Sequence, residues 1–171
     1  MKFKLIFIAL FIVSKPLLAT SLHFSPEVKI GPYYGSGLSG WGTQLGLSDK
    51  LGMDAIYISY THTYSEFLTD KDRLKTYRVG AQYRLNNAPN VSFQFEVGVV
   101  DYEGIQRKIF NPNELSYRNA TGFSSALAWV VSINDNVGFR LGVDGNYIDN
   151  KKTFLPYSFS ATYSTGIVLR F

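Results

Sequence analysis

Apolar and polar residues alternate along most of this chain with a period of two, which is the spacing of a β-strand that has one apolar face. In the clearest segment an apolar set alternates with a polar or small set: Tyr77, Val79, Ala81, Tyr83 and Leu85 against Thr76, Arg78, Gly80, Gln82 and Arg84. Including that segment, the pattern predicts eight strands, at residues 28–34, 40–48, 53–64, 74–85, 91–102, 119–133, 137–147 and 158–171. We therefore predict an all-β chain.

The connections between these strands differ in length and charge. The short ones consist largely of turn-forming residues and are residues 49–52, 86–90 and 134–136. The longer, more charged ones are residues 65–73, 103–118 and 148–157, while the first connection, 35–39, is short and rich in Gly and Ser. Short turns at one end and long loops at the other are typical of an antiparallel up-and-down barrel of the outer membrane.

The chemistry of the two faces distinguishes a membrane barrel from a soluble one. The polar face consists mostly of Gly, Ser, Thr, Ala and Gln, which fill a narrow lumen well but make a poor solvent-facing surface. On the apolar face, aromatic residues cluster near the strand ends, as in the girdles of membrane proteins: Tyr34, Trp41, Tyr60, Tyr64, Tyr77, Tyr83, Phe93, Trp129, Phe159 and Phe171. We therefore predict a transmembrane barrel whose apolar face points outward.

The first residues have the layout of a cleaved export signal. Lys2 and Lys4 precede an unbroken apolar run of nine residues, 5–13, and a small residue, Ala19, follows a break at Pro16. Nine apolar residues are too few for a transmembrane helix, which needs about 20. We predict a signal peptide at residues 1–19 and the barrel at residues 27–171.

Composition and charge exclude several functions. Removal of residues 1–19 leaves 14 basic and 13 acidic residues, so the remaining chain is nearly neutral and shows no basic stripe for nucleic acid. The chain has no Cys, which excludes a disulfide scaffold, a thiol nucleophile and a cysteine zinc site. We expect no metal and no cofactor.

The C-terminal strand carries apolar residues at alternate positions up to a terminal aromatic residue, and these form a candidate assembly signal: Tyr163, Ile167, Leu169 and Phe171. This ending resembles the signal by which outer-membrane proteins are recognised by their assembly machinery. Together with the eight strands and the unequal connections, the chain resembles the small outer-membrane barrels of the OmpA membrane domain, OmpX and opacity-protein type. The resemblance implies an outer-membrane location, with outer-membrane lipid, lipopolysaccharide and the assembly machinery as partners.

A set of charged and amide side chains falls on the inward-facing positions. We predict that they form a polar network in the lumen: Lys29, Arg78, Gln82, Arg84, Gln94, Glu96, Arg140, Asp144 and Arg170. Charges inside a narrow barrel must be paired, and the register across the 86–90 turn predicts that Arg78 neutralises Glu96. We interpret the network as a structural plug; exchange of its partners along a narrow ion path is the alternative.

The chain offers little catalytic chemistry, and we predict no catalytic residue. His23 and Ser25 have the spacing found in barrel-type lipid A deacylases, but they precede the first predicted strand. The late strand that carries the pair in those enzymes reads here as residues 142–146 without either residue. A lipid A-modifying hydrolase remains an alternative function.

The connection 103–118 mixes apolar and basic residues, and we predict that it is a partner-binding loop through Ile105, Arg107, Lys108, Phe110 and Arg118. An apolar residue in an exposed loop is a candidate contact for a host or cell-surface ligand. The sequence thus predicts a non-enzymatic surface protein with a structural, adhesive or envelope-protective role.

Overall fold

The computed structural model describes residues 21–31, 39–67, 70–107 and 115–171. The predicted signal peptide lies outside these residues, as does Tyr34. No helix in the described part of the chain is long and apolar enough to cross a membrane.

The described residues form a closed antiparallel barrel in which each strand pairs with the next and the last pairs with the first. The prediction of an eight-stranded up-and-down barrel is therefore confirmed. The strands are β1 (Leu22–Ile30), β2 (Ser39–Lys50), β3 (Met53–Phe67), β4 (Asp70–Leu85), β5 (Ala88–Arg107), β6 (Leu115–Ser132), β7 (Val137–Tyr147) and β8 (Phe159–Arg170).

The two faces of the strands have opposite polarity. Polar and small side chains point inward and are buried, so the core of this molecule is a polar lumen. Large apolar side chains on the outside are exposed, and we call them the apolar belt: Val28, Ile30, Trp41, Leu45, Ile58, Tyr77, Val79, Tyr83, Phe95, Val99, Phe123, Leu127, Trp129, Phe139, Leu141, Tyr163 and Ile167. A continuous apolar exterior over a polar interior is the construction of a membrane-spanning barrel.

The barrel begins earlier than predicted, because β1 starts at Leu22 and not after Glu27. His23 and Ser25 therefore lie within a strand and face the lumen, where both are fully buried. Pro26 hid this strand from the sequence pattern, since proline donates no hydrogen bond to a ladder. The β1–β8 register accordingly has no partner for Ser25 or Pro26 and resumes at Glu27 opposite Gly166.

Two predicted loops are largely strand. β3 continues to Phe67 and β4 begins at Asp70. In the same way, β5 continues to Arg107 and β6 begins at Leu115. The alternation of apolar and polar residues fades there, although the backbone ladder continues. We call this end of the barrel the loop end, and the opposite end, which carries the short connections and the start of β1, the turn end.

Candidate functional site

Six buried ionised side chains cross the middle of the lumen, and we call them the lumen network: Glu27, Lys29, Arg78, Glu96, Arg140 and Asp144. Three are acidic and three are basic, and each side chain is at most 1% exposed in its ion pairs. They come from β1, β4, β5 and β7, so the pairs connect strands across the barrel and not only along the sheet. Charges this deeply buried are stable only when each has a counter-charge and hydrogen bonds.

Glu96 receives five polar contacts, one of them from the Tyr57 hydroxyl, which donates to Oε1 at 3.4 Å. Its carboxylate accepts hydrogen bonds from Gln44 Nε2 at 2.7 Å and Ser59 Oγ at 2.6 Å. It also pairs with Arg78 Nη1 at 3.1 Å and Arg140 Nη2 at 3.2 Å. Glu96 therefore has two cationic partners, Arg78 and Arg140.

Gly80 lies directly opposite Glu96 in the β4–β5 ladder. A Cβ atom on this glycine would lie 2.8 Å from Glu96 Cγ and 2.6 Å from the ring of Tyr57. The side chain of Glu96 and the ring of Tyr57 therefore fill the space that a side chain at position 80 would occupy.

Two of the remaining four pairs join β1 to β7, one lies within β1 and one joins β4 to β7. Arg140 Nη1 lies 2.7 Å from Glu27 Oε2, and Lys29 Nζ lies 2.7 Å from Asp144 Oδ2. Lys29 also contacts Glu27 at 2.6 Å, and Arg78 contacts Asp144 at 2.5 Å. Every member of the lumen network therefore has at least two oppositely charged partners.

A layer of amides and one histidine lies below the lumen network, toward the turn end. Gln44, Gln82 and Gln94 form a chain of hydrogen bonds, in which Gln94 Nε2 donates to Gln82 Oε1 at 3.0 Å. His23 Nε2 is 3.1 Å from Gln44 Oε1, and the imidazole stacks on Tyr57 with ring centroids 4.9 Å apart.

Five of the polar residues in these layers are missing from the sequence prediction: His23, Glu27, Gln44, Tyr57 and Ser59. His23 and Glu27 were missed because the first strand was placed too late. Gln44, Tyr57 and Ser59 have the inward parity of their strands, but a neutral side chain at an inward position carries no signal that it belongs to a charge network. The inward parity itself was the usable signal.

Two predicted network members lie elsewhere. Arg84 is half exposed at the turn end, where it pairs with Asp54 at 3.1 Å. It has inward parity, but the ladder shifts between Arg84 and Leu85, so its side chain sits at the rim. Arg170 is buried at the turn end, opposite His23, and it takes no part in the ion pairs of the lumen network.

The loop end of the lumen is closed by an apolar cluster, which we call the cap: Leu74, Val100, Tyr102, Ile148 and Leu155. The last two belong to the connection between β7 and β8, which contains a 3-10 helix at Asn150–Lys152 and folds over the barrel mouth. The Tyr102 hydroxyl donates to Asp72 and accepts from the backbone N–H of Phe154 at 3.0 Å. Burial raises the pKa of both Asp72 and Tyr102.

The outer surface carries three features of note. An aromatic group at the loop-end edge of the apolar belt contains Trp41, Tyr60 and Tyr77, with Trp41 and Tyr60 centroids 5.5 Å apart. Beyond it, Lys75 pairs with Glu103 at 2.8 Å, and this hydrogen bond lowers the pKa of the carboxyl. A groove of about 540 Å³ lies in the belt itself and is lined chiefly by apolar side chains from β2–β5.

The candidate assembly residues all have the outward parity of β8. Tyr163, Ile167 and Phe171 are exposed, and Leu169 is half-buried. They therefore share the outward face of β8, which ends at the turn end of the barrel.

The candidate partner-binding residues are divided by the structure. Lys108 and Phe110 lie outside the described residues, whereas Ile105 and Arg107 end β5, and Arg107 is exposed. Arg118 is part of β6, where its guanidinium donates to the carbonyl oxygen of Thr153 and lies 4.5 Å from the Phe154 ring centroid. Its contacts hold the β7–β8 connection, and it lies in strand β6 and not in the connection 103–118 where the sequence pattern placed it.

The described residues contain no group of three side chains that could hold a metal ion. His23 and Ser25 share β1 and face the lumen, so the barrel wall separates them from the outer surface, and the imidazole hydrogen-bonds to the amide of Gln44. This arrangement lacks the exposed, oriented nucleophile that a hydrolase needs.

The geometry was compared with known proteins. No protein-family model and no curated protein matches the chain. Among solved structures, the chain is similar to Ail, the attachment invasion locus protein of Yersinia pestis, with a TM-score of 0.63, 12% identity and coverage of 89% of this chain and 96% of Ail. It has the fold of the small eight-stranded outer-membrane barrels.

Two further structures with this outer-membrane barrel fold are equally distant in sequence. The N-terminal β-barrel domain of Pseudomonas aeruginosa OprF has a TM-score of 0.60 and 12% identity, covering 88% of this chain and 97% of the domain. Neisserial surface protein A has a TM-score of 0.55 and 12% identity, covering 89% of this chain and 97% of that protein. At such identities the fold is shared and the residues of the lumen are not transferable.

Proposed function

We propose that this chain is an integral outer-membrane protein that is neither an enzyme nor an open pore, and that acts as a rigid anchor for a binding surface at its loop end. The observation that carries the proposal is the closed lumen. Ion pairs and amides fill its middle, and the cap covers its loop end. Eight strands enclose only enough space for side chains.

The outer-membrane location is supported by the apolar belt, the fold and the export signal predicted at residues 1–19. In this location the belt contacts lipid and lipopolysaccharide, and the assembly machinery recognises the outward face of β8 during insertion. The loop end faces the outside of the cell, since short turns lie on the periplasmic side of such barrels.

The binding surface consists of the strand extensions of β3–β6 and the β7–β8 connection. Its exposed cations in the described residues include Arg107, Lys151 and Lys152. Ail has been solved in complex with the heparin analogue sucrose octasulfate. By analogy, a sulfated polysaccharide on a host or cell surface is the ligand class that we propose for this end.

Binding of heparin to cells with and without the protein tests this role. We expect cells carrying it to bind heparin, and the double variant Lys151→Glu, Lys152→Glu to lose most of that binding. Arg84→Glu, at the opposite end of the barrel, is the matched control and should bind normally. Equal binding by cells that lack the protein contradicts the adhesive role.

Conductance in planar lipid bilayers tests the closed lumen separately. A plugged barrel should give no sustained open channel, whereas stepwise conductance of the purified protein would favour the ion path. Mass analysis of lipid A from the same cells covers the hydrolase alternative, because loss of an acyl chain that depends on this protein would contradict a non-enzymatic role.

A further inference from the structure

The connection between β7 and β8 is held in place over the barrel mouth. Its two ends are anchored in the cap, where Ile148 is 2% and Leu155 is 7% exposed. Between them the carboxylate of Asp149 accepts a hydrogen bond from the backbone N–H of Lys151 at 3.1 Å and caps the 3-10 helix. The exposed residues Lys151 and Lys152 therefore belong to a fixed stretch of backbone.

A third cation, Arg118 of β6, lies against the same backbone. Its Nη1 donates to the carbonyl oxygen of Thr153, the residue after Lys152, and its guanidinium lies 4.5 Å from the Phe154 ring centroid. Arg118 is nevertheless an exposed residue. A guanidinium has five N–H donors, and the Thr153 carbonyl engages only Nη1. Arg118 can therefore bind an anion on its exposed side while its other side holds the connection.

These three cations, which we call the mouth cluster, carry an excess of positive charge. No ion pair between described residues includes Arg118, Lys151 or Lys152. Asp149 is the single acid of the connection, and Asp72, the acid that lies beneath it, accepts the hydrogen bond of a buried hydroxyl. A polyanion thus meets three cations that no described acid neutralises.

Tyr102 supports the connection from the inside. Its hydroxyl donates to Asp72 and accepts a hydrogen bond from the backbone N–H of Phe154 at 3.0 Å. Because Tyr102 is only 1% exposed, it does not contact a ligand in solution. It affects binding only through the position of the connection.

We propose that the mouth cluster is the subsite that binds the sulfates of an anionic polysaccharide, with Arg118 as a binding residue and Tyr102 as a positioning residue. The inference rests on the proposed adhesive function and names the residues that perform it. Sulfate oxygens accept hydrogen bonds from a planar guanidinium and attract the point charge of a lysine. A fixed connection keeps the three charges together, so binding loses less conformational freedom than on a mobile loop.

The test measures the affinity of heparin for the purified barrel in uncharged detergent micelles at several salt concentrations. Arg118→Gln should lower the affinity about fivefold or more, because charge-assisted hydrogen bonds are lost. The slope of log affinity against log salt should also become shallower by about one, because one fewer counterion is released.

Lys75→Gln is the matched control. It removes the same charge from the outer wall of the loop end, where Lys75 is paired with Glu103, and should bind within about twofold of the wild type. Equal losses of affinity in Arg118→Gln and Lys75→Gln would mean a diffuse attraction and would overturn the mouth cluster.

Tyr102→Phe tests the support without a change of charge and does not depend on the folding of Arg118→Gln. The affinity should fall by about threefold because the connection must then be ordered on binding, and the salt slope should stay the same. The backbone amide of Phe154 should also exchange with solvent faster. Faster exchange with an unchanged affinity would overturn the positioning role, and a shallower salt slope in this variant would contradict it as well.

The same titrations separate this inference from the proposed function. Absence of heparin binding by the wild-type barrel would overturn the ligand class proposed for the loop end and the mouth cluster with it. Binding that is lost in the double variant Lys151→Glu, Lys152→Glu but kept in Arg118→Gln would overturn only the role of Arg118 in the mouth cluster.

Discussion

At the scale of single residues, Glu96 is one of the three acids that balance the buried cations of the lumen. It is 1% exposed and pairs with both Arg78 and Arg140. An isolated deletion of this charge leaves two guanidinium groups with one fewer counter-charge in a site that water barely reaches.

We therefore predict that Glu96→Ala lowers the free energy of unfolding by about 3 kcal/mol or more. Glu96→Gln should cost less, because it keeps the side-chain volume and its amide oxygen still accepts one of the two hydrogen bonds that Gln44 and Ser59 donate to the carboxylate oxygens. Urea-dependent unfolding in lipid vesicles measures both. The matched control is Glu103→Ala, which removes an exposed ion pair with Lys75 and should cost less than about 1 kcal/mol. A similar loss in Glu96→Ala and Glu103→Ala would contradict a buried network.

At the scale of one strand, β5 carries the inside and the outside of the barrel on adjacent residues. Glu96 faces the lumen network, and Val97 faces outward beside Val79. The same substitution at these two positions therefore enters two different environments.

We predict that a bulky lipid-soluble maleimide labels Val97→Cys and does not label Glu96→Cys in the folded barrel. We also predict that Val97→Arg lowers stability by about 2–4 kcal/mol, because it moves a charge into hydrocarbon. Labelling of Glu96→Cys with protection of Val97→Cys would reverse the inside and outside of the barrel.

The last strand offers a second prediction at this scale. Phe171→Ser should reduce the amount of protein in the outer membrane of cells but leave refolding of purified protein in micelles nearly unchanged, because a recognition signal acts only through the assembly machinery. Phe123→Ser, which alters an equally outward aromatic residue of β6, is the control. If both variants insert at normal levels in cells, the ending is only the end of a strand.

At the scale of the whole molecule, stability and location follow from barrel closure. A closed barrel has no free edge, and its ion pairs hold strands on opposite sides together. We predict that the unheated protein migrates differently from the boiled protein on detergent gels and fractionates with outer membranes. Recovery of the chain as a soluble periplasmic monomer would rule out this location.

The strand count and the inward parity were predictable from the sequence, because the period of two is imposed by lipid on one face and packing on the other. Strand ends were not: Pro26 concealed the start of β1, and the strands beyond the belt lost the alternation that identifies them. Within the site, parity identified Arg78, Glu96, Arg140 and Asp144 as inward. It did not identify their neutral partners, such as Gln44 and Ser59, or the rim position of Arg84, since those depend on register and tilt.

The ion pairs between β1 and β7 have a consequence for the order of events in folding. Lys29 and Asp144 are 115 residues apart in the chain, and Glu27 and Arg140 are 113 apart. Neither pair can form until closure of the barrel brings β1 beside the late strands, so in a half-inserted sheet each of these four charges lacks one of its two counter-charges. Intermediates are thereby penalised, and closure of the seam completes the electrostatics of the lumen.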